Sequence, residues 1–169
     1  MKIKVKTSNV AIVILTVLFG GIALTSALGW WKTTSSKQPV RYSQGEYTGE
    51  YNPADIRGSY SFGEISELFQ IPLEDLGKAF GVKDESSIAT FKCKDLETLY
   101  SVSAAEGKEV GTDSVRIFVA LYKSLPIPLT ETTYLLKPAV GILQNQASLT
   151  DAQKTWLDTH TVTPVPARY

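Results

Sequence analysis

The chain has 169 residues, with 17 basic side chains balancing 17 acidic ones, and its 43% hydrophobic and 20% charged composition is globular rather than disordered. One cysteine excludes a disulfide framework and a thiolate zinc site, and one histidine leaves little with which to assemble metal or triad chemistry. Zero net charge argues against a nucleic-acid binder.

The charge is unevenly placed. Lys2, Lys4 and Lys6 fall in the first 28 residues, which carry no acid, leaving 14 basic against 17 acidic groups in the rest. Between Lys6 and Lys32 stand 25 uncharged residues, of which the run Ala11 to Trp31 is apolar nearly throughout. As a helix they would span about 37 Å, more than the ~30 Å hydrocarbon core of a bilayer. Trp30 and Trp31 close the run, where indoles favour the headgroup zone. The expectation is a basic cytoplasmic tail over 1–8 and a single-pass anchor in the cell-membrane bilayer over 9–31, with the remainder outside the cytoplasm. A cleaved signal peptide, cut after Thr25-x-Ala27, is the competing reading. No cysteine adjoins the run, which excludes lipoprotein processing.

Residues 32–54 are rich in Ser, Thr, Gly and Pro without apolar periodicity and read as a flexible tether, able to reach roughly 75 Å when extended. The Gly45-Glu46-Tyr47 and Gly49-Glu50-Tyr51 echo within it reads as a short strand, a tyrosine-bearing docking strip or a low-complexity accident.

Residues 55–160 read as a small, mainly α domain. Ser61 and Glu64 have capping-box spacing, with Tyr60 and Ile65 placed as a hydrophobic staple. Ile65, Leu68 and Phe69 would be the buried stripe of the helix that follows. After a break at Gln70-Ile71, Pro72 suits the first position of a second helix, which carries Leu73, Leu76 and Phe80 and ends at Gly81. Residues 61–81 are thus a helix–turn–helix. The acid and apolar positions of residues 64–69 recur in 95–100, so a pair of helical-hairpin repeats is one reading of the domain. Asp113 is a cap candidate for a helix burying Val115, Phe118, Val119 and Tyr122. Pro126 and Pro128 break the chain, and Pro138 opens a helix with Val140 and Leu143. Thr150 and Gln153 form a second capping box, ahead of Ala152, Trp156 and Leu157. The tail 161–169, with Pro164 and Pro166, should be extended.

Little chemistry is assigned. The second helix of the helix–turn–helix carries Glu74 and Asp75 against Lys78, the wrong balance for a DNA phosphate track, so no nucleic-acid partner is expected. No phosphate loop, His–Glu zinc motif or Gly-x-Ser-x-Gly elbow occurs, and no catalytic, cofactor or metal residue is assigned. Cys93 reads as a small buried hydrophobe and His160 as a helix-end residue beside the dipole.

Residues 56–82, IRGSYSFGEISELFQIPLEDLGKAFGV, resemble a short helix-turn-helix-like module attached to membrane-bound ferredoxin-like (four-iron, four-sulfur) and cytochrome-b-like membrane proteins. Ile56, Gly58, Glu64, Ile65, Ile71, Pro72, Leu76 and Gly81 carry the likeness, and residues 113–126 resemble the second half of such a module. The resemblance implies a non-enzymatic accessory domain that docks on a membrane protein of a redox or transport complex. The ferredoxin cysteines are absent, so no electron-transfer centre comes with it. An extracytoplasmic enzyme or ligand-binding domain is the alternative.

Overall fold

The computed structural model describes residues 13–17, 19–21, 38–101 and 106–163, with only the backbone of Glu85. The chain falls into two compact units, Met1–Lys37 and Gln38–Tyr169. In the first, residues 13–17 and 19–21 are helical. Val13, Ile14, Leu15, Val17 and Phe19 are each more than half exposed. At 100° per residue these side chains spread over about two thirds of a helix circumference rather than one narrow stripe. No helix among the described residues is long and apolar enough to cross a membrane. Most of the anchor expected over 9–31, Trp30 and Trp31 included, lies outside them.

The second unit begins earlier than its composition suggests. From Gln38 the expected tether is folded, with Pro39 and Pro53 buried. Tyr42 N–H donates to the Glu50 carbonyl (2.9 Å) and Asn52 N–H to Val40 (2.8 Å), an antiparallel pairing centred on Arg41 and Tyr51. Gly45 and Gly49, the two glycines of the echo, take φ of 84° and 93° at its turns, a region that favours glycine. Asn52 then caps a 3-10 turn, Pro53–Asp55, by accepting the Ala54 N–H, and Asp55 accepts the Val40 N–H.

Seven helices follow among the described residues: α1 Phe62–Phe69, α2 Leu73–Phe80, α3 Glu85–Ile88, α4 Asp95–Leu99, α5 Thr112–Tyr122, α6 Lys137–Gln146 and α7 Asp151–Thr159. The mainly α reading therefore holds. α1 starts with the expected reciprocal cap, Ser61 N–H to Glu64 Oε2 (2.7 Å) and Glu64 N–H to Ser61 Oγ (3.2 Å), over buried Tyr60 and Ile65. Gln70, at φ 54°, turns the chain into α2. Pro72 precedes α2 instead of opening it, and Gly81 ends it at φ 70°.

α5 is the centre of the core. Val115, Ile117, Phe118, Val119, Ala120 and Leu121 are all at most 2% exposed, a wider face than an amphipathic stripe requires. Asp113 is not its cap. Gly111 precedes the helix, its N–H donating to Ser114 Oγ, which donates in turn to the Tyr134 carbonyl. Asp113 instead pairs with Arg116, whose Nε donates to the carbonyl of Ile56 (2.7 Å). Phe62, Phe80, Phe118 and Tyr122 form a continuous aromatic chain with centroids 5.5–5.7 Å apart.

The principal helix contacts are α1 on α2, α2 on α3 and α6, and α5 on α6. α4 on α5 is not among them, so the second half does not repeat the α1–α2 hairpin. Gly107, at φ 76°, and the pairing of Glu109 with Thr133 lead the chain away between α4 and α5. Thr150 and Gln153 make the expected cap on α7, but Ala152 faces outward while Trp156 and Leu157 are buried. Two short strands, β1 Leu135–Leu136 and β2 Thr161–Val162, pair in parallel, Leu135 with Thr161 and Leu136 with Val162. The tail expected to be extended thus begins as a strand paired with β1. Residues 164–169 lie outside the described ones.

Candidate functional site

The residues that carry the module likeness converge on the interior of the α1–α2 pair. Ile56, Ile65, Ile71 and Leu76 are fully buried. Glu64 is spent on the α1 cap, and Pro72 stands exposed at the turn. A Cβ on Gly58 would lie 3.1 Å from Lys94 Cβ and 3.2 Å from Thr112 Oγ1, so this glycine lets two segments close in. A Cβ on Gly81 would lie 2.7 Å from the Tyr100 hydroxyl. Most of these positions pack the hairpin or bring neighbouring segments against it. The outer surface of the pair is made by others, among them Glu67, Gln70, Glu74 and Lys78.

Reactive side chains in the body are held by their neighbours. Cys93 is fully buried and its thiol is pushed up to about 12, chiefly by desolvation. The Tyr122 hydroxyl donates to Asp75 Oδ2 at 2.8 Å and lies 2.7 Å from Gln146 Oε1. Burial first, then the hydrogen bond and charge of Asp75, push that phenol up to about 12. His160 ends α7 and is nearly buried. Its ring stacks on Trp156 with centroids 4.4 Å apart and planes 7° from parallel. Nδ1 is 3.0 Å from the Trp156 carbonyl and 2.8 Å from Thr159 Oγ1, and Nε2 is 3.7 Å from Glu131 Oε2. The ring thus serves the helix end, as its position in the sequence suggests. Among the described residues no three metal-ligating side chains gather, and every buried side-chain polar atom has a partner.

One concavity combines apolar walls with charge. A hollow of about 490 Å³ opens between the end of α2, the loop after it, α3 and the start of α6. Val82, Ile88 and Pro138 line it, with Glu74, Lys78 and Lys83 at its edge. Lys78 is paired with Glu74 at 2.6 Å, whereas Lys83 has no ion pair among the described residues. Sequence reading missed this site because its walls come from segments about fifty residues apart, with no shared motif. No protein-family model matches this chain, and no curated protein or solved structure matches it.

Proposed function

We propose that this chain is a non-enzymatic, membrane-anchored accessory protein, with residues 9–31 spanning the cell membrane and the body from Gln38 docking outside the cytoplasm on a membrane protein of a redox or transport complex. The observation that carries the reading is the exposed apolar helical stretch: Val13, Ile14, Leu15, Val17 and Phe19 stand uncovered around most of a helix circumference. Each such side chain left in water forgoes roughly 1.5–3 kcal/mol of burial, and a bilayer supplies that cover. The uncharged run Thr7 to Trp31 supplies the length. Structural employment of Cys93, Tyr122 and His160 supports a role by contact rather than by chemistry.

Because the body is folded from Gln38, only residues 32–37 separate it from Trp31, and six extended residues reach about 20 Å. Anchoring confines the body to the membrane, and that confinement raises the effective concentration of a neighbour so that a weak contact suffices. The test is alkaline carbonate extraction of membranes carrying the full chain, then cross-linking in intact membranes and identification of the captured protein. Retention in the pellet and capture of a membrane-complex subunit are expected. Release of a soluble chain beginning near Leu28 would overturn the anchor, and capture of no membrane protein would overturn the docking role.

A further inference from the structure

We infer that His160 and Glu131 form a proton-operated clasp at the end of α7. The neutral ring carries its hydrogen on Nδ1 and turns a bare Nε2 toward Glu131, and uptake of a solvent proton at Nε2 makes that contact an ion pair. The acceptor at Nδ1 sets the tautomer. The Trp156 carbonyl, 3.0 Å from Nδ1, has no hydrogen to give, so a bare nitrogen there would oppose two lone pairs. The Thr159 hydroxyl, 2.8 Å from Nδ1, has the Trp156 and Thr155 carbonyls to donate to and accepts from the ring. Nε2 of the neutral ring therefore meets Glu131 Oε2, 3.7 Å away, as one acceptor meets another, and no attraction holds the 92% exposed Glu131 there. One proton reverses the sign, because an imidazolium donates from both nitrogens. The Trp156 ring stacked at 4.4 Å, the Tyr134 ring at 5.2 Å and the carbonyl end of α7 all favour a cation. Near-complete burial of the ring opposes it, which leaves the balance to the carboxylate. Among the described residues Glu131 is the only charged group paired with the ring, and Tyr134 is the other titratable group against it. Of the remaining charges on α7, Lys154 pairs with Asp151 and Asp158 is exposed, as is Lys137 at the start of α6. Glu131 stands in the segment between α5 and β1. Its neighbour Thr130 accepts the Trp156 indole N–H (3.3 Å), and Leu135 at the segment's end donates to the His160 carbonyl (2.9 Å). Acidification thus adds a side-chain fastening to a main-chain one, and loss of the proton releases it, across the range in which histidines titrate. The clasp belongs to the body alone and does not rest on the membrane anchor.

The test is nuclear magnetic resonance of the purified full chain with its one histidine labelled with nitrogen-15, titrated from about pH 8 to about pH 5. At the alkaline end Nδ1 should carry the hydrogen, and Nε2 should show the shift of an unprotonated nitrogen. Glu131→Gln should keep that tautomer but move the ring's titration to lower pH by a few tenths of a unit, roughly the size of an exposed ion pair. Asp158→Asn, which removes an exposed charge of the same sign that has no bond to the ring, should move it less. Glu131 and Asp158 are both exposed, so neither variant threatens the fold. Hydrogen on Nε2 at the alkaline end, an unmoved titration in Glu131→Gln, or an equal move in Asp158→Asn would each overturn the clasp.

Discussion

The hydroxyl of Tyr100 donates to the carbonyl of Phe80 at 3.0 Å, closing the end of α2 from across the core. That carbonyl is one of the acceptors a helix leaves unmatched at its end, and here it is buried. Tyr100→Phe should cost about 1–3 kcal/mol, because an acceptor stays dry without a donor. Gly81→Ala should also destabilise by about 1–3 kcal/mol, through its φ of 70° and the approach of the new Cβ to the same hydroxyl. Removing the hydroxyl relieves that approach. The double variant should therefore cost less than the two single costs added, measured by denaturant unfolding. Strict additivity would contradict the geometry.

Leu76 is fully buried where α2 meets the core. Leu76→Ala should lower stability by about 2–5 kcal/mol, with the far-ultraviolet circular dichroism of the native variant still helical. A loss under 1 kcal/mol would mean that the side chain is not enclosed.

Cys93 should be chemically silent in the folded protein. Only the thiolate attacks disulfide reagents, and burial holds this thiol at about 12. Ellman's reagent at pH 8 should react only after denaturant is added. Prompt stoichiometric reaction of the native chain would refute the burial.

Tyr122 makes stability fall at high pH. Its folded-state value, about 12, lies above the ordinary 10.0, so the folded state favours the neutral phenol. Its contribution is fully present below pH 10 and is lost as pH rises from 10 through 12. Tyr122→Phe should remove one late-ionising phenol from the absorbance titration near 295 nm. It should also flatten the alkaline fall in stability. Loss of that phenol from the main phase near pH 10 instead would show that Tyr122 ionises with the exposed tyrosines.

What could be read in the sequence was chemistry confined to a few neighbouring residues. Ser61 with Glu64, Thr150 with Gln153, and Gly81 at a helix end depend on spacing alone, and each stands where the spacing puts it. The fate of Asp113 depended on Arg116 and on Ser114 reaching Tyr134, twenty residues away. The hairpin at 40–52 has no alternating apolar pattern, and its order comes from Asn52, Asp55 and two left-handed glycines. Two-residue strands carry no period at all, which hid β1 and β2. The module positions were visible as a pattern, but a pattern of Ile, Leu and Gly does not say whether it faces inward or toward a partner. Their burial turns them inward.

The pairing of Leu135 and Leu136 with Thr161 and Val162 also sets a schedule. The Leu135 N–H finds its acceptor on His160, so a segment through α6 and α7 is closed by residues made after both helices. A chain emerging from the ribosome makes its earlier helices first, but Leu135 keeps an unmatched donor until His160 has cleared the exit. Completion of the body thus waits on the residues that follow α7, and a nascent chain stalled before Thr161 would hold β1 without its partner strand.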